Sequence, residues 1–516
     1  MKIRFTDGAG QEIPRGERIL LFAIVLLAFA FRAALSRYFT GTATDSVLVL
    51  DAANNLGHAP APAPLSLLPA LLARVLPVSP YEAGVFVSIT AGSLCLIPLY
   101  GLVRAVAGAE AAAAGALLFA ACPVAVHWQA RMDTHALHTL FVLQLALSFL
   151  RAGATREAGS VHAVQAYALL AGLSRYEGLA WAAPALWAYL RWIASGWAPR
   201  GRQKLAPLLW HAAWIWVPVW LVWTSDGGYG SMWSGATARR LSSGGFDAAL
   251  ARLGEYARML PELLTPPVAF SALLGLFHLA NEGWRRKEGG SRAARDYLSL
   301  AAYAIGVHFS HALSPLFRTN HAMPSLAFVC GIAAMGGVWI VSMGIRSAEE
   351  GHRAWIWIAE GARRILVALA LAWEAVMAVL LVRFQGDLNG DSRRLGDWLS
   401  RIPSDVRVVS DERIVTRYHA GREIVPLFGA TLREGDLLVL HSAVTDLLPA
   451  YQNLMLSWQW ETLAAAESRS VAMLPDATNL IRAGAPKGEI RGETRRNSGY
   501  RAVATQSVAL QLIARR

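Results

Sequence analysis

Charged side chains are scarce in this 516-residue chain: they make up 16% of it, whereas soluble domains carry about 25%. Cysteine is rarer still, with Cys95, Cys122 and Cys330 as the whole complement, each in an apolar run. The shortage of charge excludes a chain that is soluble along most of its length, and the shortage of cysteine excludes a disulfide scaffold. We expect the three thiols to be small core residues, not metal or redox ligands.

Apolar residues are abundant instead, at 55% of the chain with a mean hydropathy of +0.36. A helix needs about 20 such residues to cross the hydrocarbon of a bilayer. Uncharged runs of this kind occur at 83–103, 111–130, 134–150, 205–225, 263–281, 297–317 and 319–345. Weaker candidates, three of them containing Arg32, Arg191 or Glu374, lie at 19–35, 158–174, 178–198 and 365–382. We therefore predict a mainly α-helical, polytopic transmembrane bundle of about eleven spans.

The net charge of +12 is distributed unevenly along the chain. If the N-terminus is inside, the inner segments hold 20 Lys and Arg, and the outer ends and loops up to Arg383 hold 11. Loops on the cytoplasmic side of a membrane carry such an excess. The sequence thus predicts a multi-pass protein of the cytoplasmic (inner) membrane whose basic residues meet anionic lipid, with no nucleic-acid partner.

The character of the chain changes after Arg383. Residues 384–516 contain 17 basic and 15 acidic side chains, which is typical of soluble protein. Short strand-like runs lie at 405–410, 423–427 and 436–441, and helical spacing occurs at 395–402 and 446–458. We predict a transmembrane domain at 1–383 and a small α/β domain at 384–516, which an odd number of spans places outside.

Four polar motifs reach the outer surface if eleven spans are correct. They are 44–58, 127–133, 174–178 and 308–321. Ionisable groups at such depth are costly and usually mark a site. The candidate site residues are Asp45, Asp51, His58, Asp133, Arg175, Glu177, His308, His311, Arg318 and His321.

The carboxylates each have a structural alternative. Asp45 follows Thr44 and precedes an apolar run, so it either caps a surface helix or enters the site. Asp51 is six residues further on, and the two carboxylates therefore face different directions on a helix. Asp133 either caps the fourth span or belongs to the site, and it has Arg131 as a second potential partner.

The basic residues also have alternatives. Arg175 and Glu177 form either a local ion pair or part of the site. His308 and His311 are three residues apart and share a helix face, either as a metal pair or as hydrogen-bonded helix-end histidines. A divalent metal therefore stays open as a cofactor. Arg318 at the membrane edge is suited to a lipid phosphate.

The order and common side of these motifs resemble a known family. The segments that carry the resemblance are Asp45 with Pro62–Pro69, Arg131–Asp133, Leu173–Leu179, Arg318 with His321–Ala327, and the tail around Val408–Ser410 and Tyr418–Arg422. Together they resemble the GT-C superfamily of integral-membrane glycosyltransferases, nearest its protein O-mannosyltransferase and aminoarabinose-transferase branch. The resemblance extends over nearly the whole chain.

The resemblance implies a hexosyl- or pentosyltransferase that uses a polyprenyl-phosphate sugar as donor and inverts the anomeric carbon. The acceptor would be a protein, a lipid or a glycan. Asp45 is then the expected base, Asp133 orients the acceptor, and Arg318 with Arg175 binds the donor phosphate. The first loop departs from the family pattern, because Ser46 stands where the mannosyltransferase-like branch usually has a second carboxylate. Asp51 consequently stays a rival for the base, and the lack of Asp-x-Asp weakens a metal-dependent mechanism.

A polytopic transporter or a flippase of envelope glycolipids is the main alternative, and a non-catalytic scaffold is a further one. Transporters place their charges near the bilayer midplane and are often built from two matching halves. In this chain the charges gather at one end of the predicted bundle, and no internal repeat is present. The pattern therefore favours a glycosyltransferase.

Overall fold

The structure of the protein is a computed structural model. It describes residues 6–39, 68–155, 157–195, 264–285, 290–310, 322–349, 365, 367–382, 399–401, 403–410, 420–426, 437–439, 460–470, 494–497, 500–503 and 506–515. The chain divides into two compact units, one made of residues 1–34 and 52–378 and the other of 35–51 and 379–516. The predicted span at 205–225 lies outside the described residues.

The first unit is helical. Its elements are α1 (Arg15–Ser36), α2 (Leu68–Val75), α3 (Pro80–Leu94), α4 (Leu96–Ala121), α5 (Pro123–Gln129), α6 (His135–Thr155), α7 (Ala158–Ser174), a 3₁₀ helix (Tyr176–Trp181), α8 (Ala182–Ala194), α9 (Pro266–Arg285), α10 (Gly290–Ser310) and α11 (Met323–Glu349), with α12 (Val367–Val382) continuing into the second unit. Among the described residues, four stretches are long and apolar enough to cross a membrane: Arg15–Ser36, Pro80–Ala121, His135–Thr155 and Met323–Ile340. The total of eleven spans stays a prediction.

The run at 111–130, predicted as one span, is divided between two helices. Helix α4 ends at Ala121, and α5 begins at Pro123. A proline lacks the N–H that a continuing helix needs, and it disfavours helical geometry at the residue before it. Cys122 accordingly has a ψ of 120°. The chain therefore turns here and places residues 127–133 at an end of the bundle.

Several long helices have one buried face and one exposed apolar face. In α1, Leu21 and Ile24 are buried, whereas Phe22 is 63% exposed and Leu27 is 64% exposed. In α9, Leu273 is 67% exposed. Large apolar side chains in such continuous outward faces match helices whose outer surface contacts lipid.

Small residues allow α9 and α11 to cross at close range. A Cβ atom added to Gly336 would lie 2.1 Å from the carbonyl oxygen of Ser271 and 2.4 Å from the backbone nitrogen of Gly275. Helices in membranes associate largely through such close backbone approach. Glycines thus permit the close crossing of α9 and α11, and Trp339 of α11 also contacts the rings of Phe277 and His278 of α9.

The expectation that the three cysteines are core residues is confirmed, and a buried carboxyl of the predicted last span has a polar partner. The three cysteines are free and buried in the core. Glu374 is also buried, and its Oε1 accepts a hydrogen bond from the Thr265 hydroxyl. The carboxyl in the predicted last span therefore has the polar neighbour that burial in an apolar bundle requires.

The second unit contains strands β1 (Val408–Ser410), β2 (Val425–Pro426), β3 (Leu437–Val439), β4 (Trp460–Ser470), β5 (Thr494–Asn497), β6 (Tyr500–Val503) and β7 (Gln506–Arg515). Five form a sheet in the order β2-β1-β3-β7-β4, and β5 pairs with β6. Strand β1 is parallel to both β2 and β3. These three strands lie within the strand-like runs at 405–410, 423–427 and 436–441. Residues 446–458 and most of 395–402 lie outside the described residues, and the position of this unit outside the membrane stays a prediction.

Candidate functional site

The turn between α5 and α6 holds Asp133 in a fixed position. Its Oδ1 accepts a hydrogen bond of 2.7 Å from the backbone N–H of His135, the first residue of α6. The same oxygen lies 2.5 Å from Nδ1 of the His135 ring. Both side chains are at least 98% buried. The capping alternative for Asp133 is therefore confirmed, and the cap also makes Asp133 the partner of an imidazole.

The charges around Asp133 keep it ionised. Burial raises the pKa of this carboxyl. The adjacent His135 ring and the positive charges of Arg175 and Arg131 lower the pKa by more than burial raises it. The net result is a pKa well below the usual range of an aspartic acid. Asp133 is consequently a carboxylate at physiological pH and is suited to accepting hydrogen bonds and orienting a partner.

Arg131 and His127 surround the same turn. The guanidinium carbon of Arg131 lies 3.4 Å from the ring centroid of Trp128, in a cation–π contact. The buried ring of His127 contacts Trp128 edge-on, with centroids 5.1 Å apart. The 127–133 motif therefore presents one stacked cation, one imidazole and one carboxylate in a desolvated setting.

Arg175 joins two turns at this end of the bundle. Its Nε and Nη2 each donate a hydrogen bond of 3.0 Å to a different carboxylate oxygen of Glu177. Its Nη1 donates a bond of 2.8 Å to the hydroxyl of Thr134. The local ion pair between Arg175 and Glu177 is confirmed. Through Thr134 it also ties the turn after α7 to the turn that carries Asp133.

Gly178 allows the 3₁₀ helix to lie against the end of α7. A Cβ atom at this position would lie 2.0 Å from the carbonyl oxygen of Ala171 and 2.4 Å from the backbone nitrogen of Gly172. No side chain fits there without a backbone shift. The glycine after Glu177 thus sets the position of the Arg175–Glu177 pair.

Helix α10 brings His308 to the same region. The Tyr303 hydroxyl donates a 2.5 Å hydrogen bond to the carbonyl of Ala180 in the 3₁₀ helix, and its ring contacts Trp181 edge-on with centroids 5.4 Å apart. His308 lies five residues further along α10 and is 5% exposed. The tyrosine therefore aligns the end of α10 with the turn at 175–181.

These elements border a small cleft lined among others by His135, His138, Glu177, Trp181, His308 and Pro324. Nδ1 of His138 lies 3.4 Å from both the Ala171 carbonyl oxygen and the Ser174 hydroxyl. Three imidazoles and one carboxylate thus meet at a single small opening. Groups of this kind can orient a hydroxyl, accept a proton or stabilise a phosphate.

Four of the predicted site residues belong to this arrangement. Glu177 and His308 line the cleft, and Asp133 and Arg175 hold lining residues in place. The other six, which are Asp45, Asp51, His58, His311, Arg318 and His321, lie outside the described residues. No group of three or more His, Cys, Asp or Glu suited to a metal ion occurs in the part of the chain that the structure describes.

The sequence reasoning missed His135, His138 and Trp181. His135 and His138 are three residues apart on one helix, directly after Asp133. The same spacing drew attention to His308 and His311 and could have identified this pair. For Trp181 no comparable signal exists, because the sequence has nineteen tryptophans.

The fold is similar to those of an archaeal oligosaccharyltransferase and a bacterial ArnT. The Archaeoglobus fulgidus oligosaccharyltransferase in its apo form matches with a TM-score of 0.53 and 14% identity, over 80% of this chain and 65% of that one. ArnT from Cupriavidus metallidurans in the apo state matches with a TM-score of 0.50 and 12% identity, over 87% of this chain and 96% of that one. The resemblance to the GT-C superfamily is confirmed, and the chain is a membrane protein.

A family model described as dolichyl-phosphate-mannose-protein mannosyltransferase matches residues 62–223. The archaeal oligosaccharyltransferase AglB, in complex with an inhibitory peptide and a dolichol-phosphate, matches with a TM-score of 0.50 and 14% identity, over 82% of this chain and 66% of that one. This chain therefore spans about two thirds of the length of the archaeal enzyme. No protein of curated function matches the sequence.

Proposed function

We propose that this protein transfers a sugar from a polyprenyl-phosphate donor to an acceptor at the outer (periplasmic) face of the cytoplasmic membrane. The observation that carries the proposal is the cleft of His135, His138, Glu177 and His308 at one end of apolar helices with a GT-C fold. Support also comes from AglB, whose matching structure holds a dolichol-phosphate and a peptide. A donor of that chemistry presents its phosphate at the edge of the membrane, beside such a cleft.

In the proposed reaction the acceptor oxygen attacks the anomeric carbon of the sugar. A new bond forms between these two atoms, the bond from the anomeric carbon to the phosphate oxygen breaks, and the configuration inverts. Asp45 takes the proton of the acceptor hydroxyl, and the phosphate leaves with the bonding electron pair. General-base assistance of this kind contributes about 10²- to 10⁴-fold to the rate.

We assign Asp133 to orientation and not to proton transfer. Its pKa is lowered by neighbouring cations, and a weak base gains little from accepting a proton. Through His135 it fixes one wall of the cleft. Arg318 binds the leaving phosphate, and Arg175, held by Glu177, adds positive charge to the same region. Asp51 is the second candidate for the base.

The proposal is tested by mass spectrometry of envelope glycans and lipid-linked sugars from cells with and without the gene. We expect gene loss to remove one sugar from an envelope component and to leave its polyprenyl-phosphate form in excess. Complementation with Asp45→Asn should fail, while donor binding and expression stay near wild type. Full activity of Asp45→Asn together with an inactive Asp51→Asn would transfer the role of base to Asp51.

The phosphate role of Arg318 has a separate test. Arg318→Ala should weaken binding of the polyprenyl-phosphate donor by about tenfold or more, because charged hydrogen bonds to phosphate are strong. A variant that binds the donor as tightly as wild type would remove Arg318 from the phosphate site.

A further inference from the structure

A second cleft lies at the other end of α6. It is bordered by α6, α8 and α10, with Phe149, Gly153, Arg191, Trp192, Ser195 and Arg292 in its lining. Residues 135 and 153 are eighteen positions apart, so they are separated by about 27 Å along the helix. That distance is close to the thickness of the hydrocarbon layer. The two clefts therefore lie near opposite surfaces of a membrane that α6 crosses.

Two guanidinium groups converge in this cleft. A Cβ atom added to Gly153 would lie 3.2 Å from Oδ2 of Asp296, 3.7 Å from Nη2 of Arg191 and 3.9 Å from Nε of Arg292. The lack of a side chain at Gly153 therefore leaves room where the two cations and this carboxylate meet. One carboxylate is present as well, because Nη1 of Arg191 donates to both oxygens of Asp296 at 3.1 Å. Among the described residues, two arginines and one aspartate carry charge at this cleft, so their sum is positive.

The remaining lining is amphipathic. Phe149 and Trp192 supply apolar surface beside the guanidinium groups, and the Ser195 hydroxyl donates to the Trp192 carbonyl at 2.6 Å. Tryptophan is enriched where membrane proteins meet the headgroup region. The side chain of Arg191 is 27% exposed, so it can be reached from outside the bundle. An apolar wall next to paired cations matches a ligand that has an acyl chain beside a phosphate.

The side of the membrane follows from charge. Residues 151–160, 191–204 and 282–296 belong to the basic segments that the positive-inside rule assigns to the cytoplasm. The cytoplasmic leaflet carries anionic phospholipids, and basic pockets between transmembrane helices on that side bind their headgroups. We propose that the cleft of Arg191 and Arg292 binds the phosphate headgroup of an anionic phospholipid from the inner leaflet. This site is distinct from the proposed site of sugar transfer.

The test is native mass spectrometry of the detergent-purified full chain, titrated with phosphatidylglycerol or with phosphatidylcholine. We expect phosphatidylglycerol to bind about tenfold more tightly than the zwitterionic lipid, because only the former brings a net charge to the two arginines. Arg292→Gln should lower the affinity for phosphatidylglycerol about tenfold and leave the Arg191–Asp296 ion pair in place. Asp296→Asn should strengthen binding, because it removes the only carboxylate found at this cleft among the described residues.

Arg295→Gln is the matched control, because it removes the same charge from α10 at an exposed position outside the cleft. It should leave phosphatidylglycerol binding within about twofold of wild type. Equal binding of the two lipids, or equal losses in Arg292→Gln and Arg295→Gln, would overturn the proposal. Displacement of phosphatidylglycerol by millimolar inorganic phosphate would also overturn it, and would indicate a site for a soluble phosphate.

Discussion

Asp133 illustrates how a single residue can serve both the fold and the site. Its carboxylate accepts the first N–H of α6 and contacts the ring of His135, which lines the outer cleft. At the sequence level a helix cap and a site residue were alternatives. In the structure the same hydrogen bonds that cap the helix also orient an imidazole, so the two roles are compatible.

Replacing this carboxylate by an amide should impair sugar transfer with little change in folding. Asp133→Asn keeps an oxygen that can accept the α6 N–H but loses the charge that holds His135. We expect kcat/KM to fall by about 10- to 100-fold, since small misplacements of a site group are costly. Glu157→Gln, at the exposed N-terminus of α7, should retain wild-type transfer. An unaltered kcat/KM in Asp133→Asn would exclude the positioning role.

The pH dependence of that variant distinguishes a fixed charge from a titrating base. The pKa of Asp133 is lowered, so the carboxylate stays ionised at pH values below its usual titration range and gains a proton only in stronger acid. The ratio of wild-type to Asp133→Asn activity should therefore be constant between about pH 5 and 8. Parallel pH–rate profiles of the two proteins measure this ratio. A ratio that approaches one at pH 5 would mean that Asp133 itself titrates in the working range.

The 3₁₀ helix after α7 depends on close backbone contact at Gly178. Gly178→Ala would place a methyl group against the Ala171 carbonyl, displacing the turn that holds Arg175 and Glu177. We expect transfer activity to fall by about tenfold or more. Gly159→Ala, in the first turn of α7, is the control, because a Cβ atom at this position would have no other atom within 4 Å. Equal activities of the two variants would show that the position of this turn is not needed for transfer.

At the scale of elements, the crossing of α9 and α11 rests on glycine. Gly336→Ala would put a Cβ atom within 2.1 Å of a backbone oxygen of α9, so the helices must separate. Overpacking of this kind costs about 1–3 kcal/mol of unfolding free energy. Gly337→Ala, at the next residue, is the control, because the added methyl group would have no other atom within 4 Å. It should be neutral or stabilising by up to about 1 kcal/mol.

Thermal unfolding of the two variants in the same detergent measures the difference. We expect a lower midpoint for Gly336→Ala and an unchanged or higher midpoint for Gly337→Ala. Equal midpoints would contradict the close crossing of the two helices.

Some features of the elements were predictable from sequence, and others were not. The apolar runs at 134–150 and 319–345 correspond to α6 and α11, because hydrophobicity and length suffice to mark such helices. The division of 111–130 at Pro123 went unpredicted, although proline is a local signal. The pairing of Arg175 with Thr134 could not be predicted, because it depends on how two turns distant in sequence meet.

At the scale of the whole molecule, the scarcity of charge is the most informative feature of the sequence. The ionisable groups described in the helical unit include one set at the start of α6 and another at its end. The first set forms the cleft assigned to sugar transfer, and the second forms the proposed lipid site. The charge asymmetry of the sequence predicted which side of the membrane each end of α6 faces. It did not predict that a cleft lies at either end.

The central claim is that the protein breaks the bond between a sugar and a polyprenyl phosphate. The most direct test reconstitutes the full chain in vesicles with labelled polyprenyl-phosphate sugars extracted from the host membrane, together with an envelope extract as acceptor. We predict that the label leaves the lipid, appears on an acceptor and leaves free polyprenyl phosphate, and that Asp45→Asn abolishes this transfer. Labelled lipid that crosses to the other leaflet with its sugar still attached would contradict the account and identify a flippase.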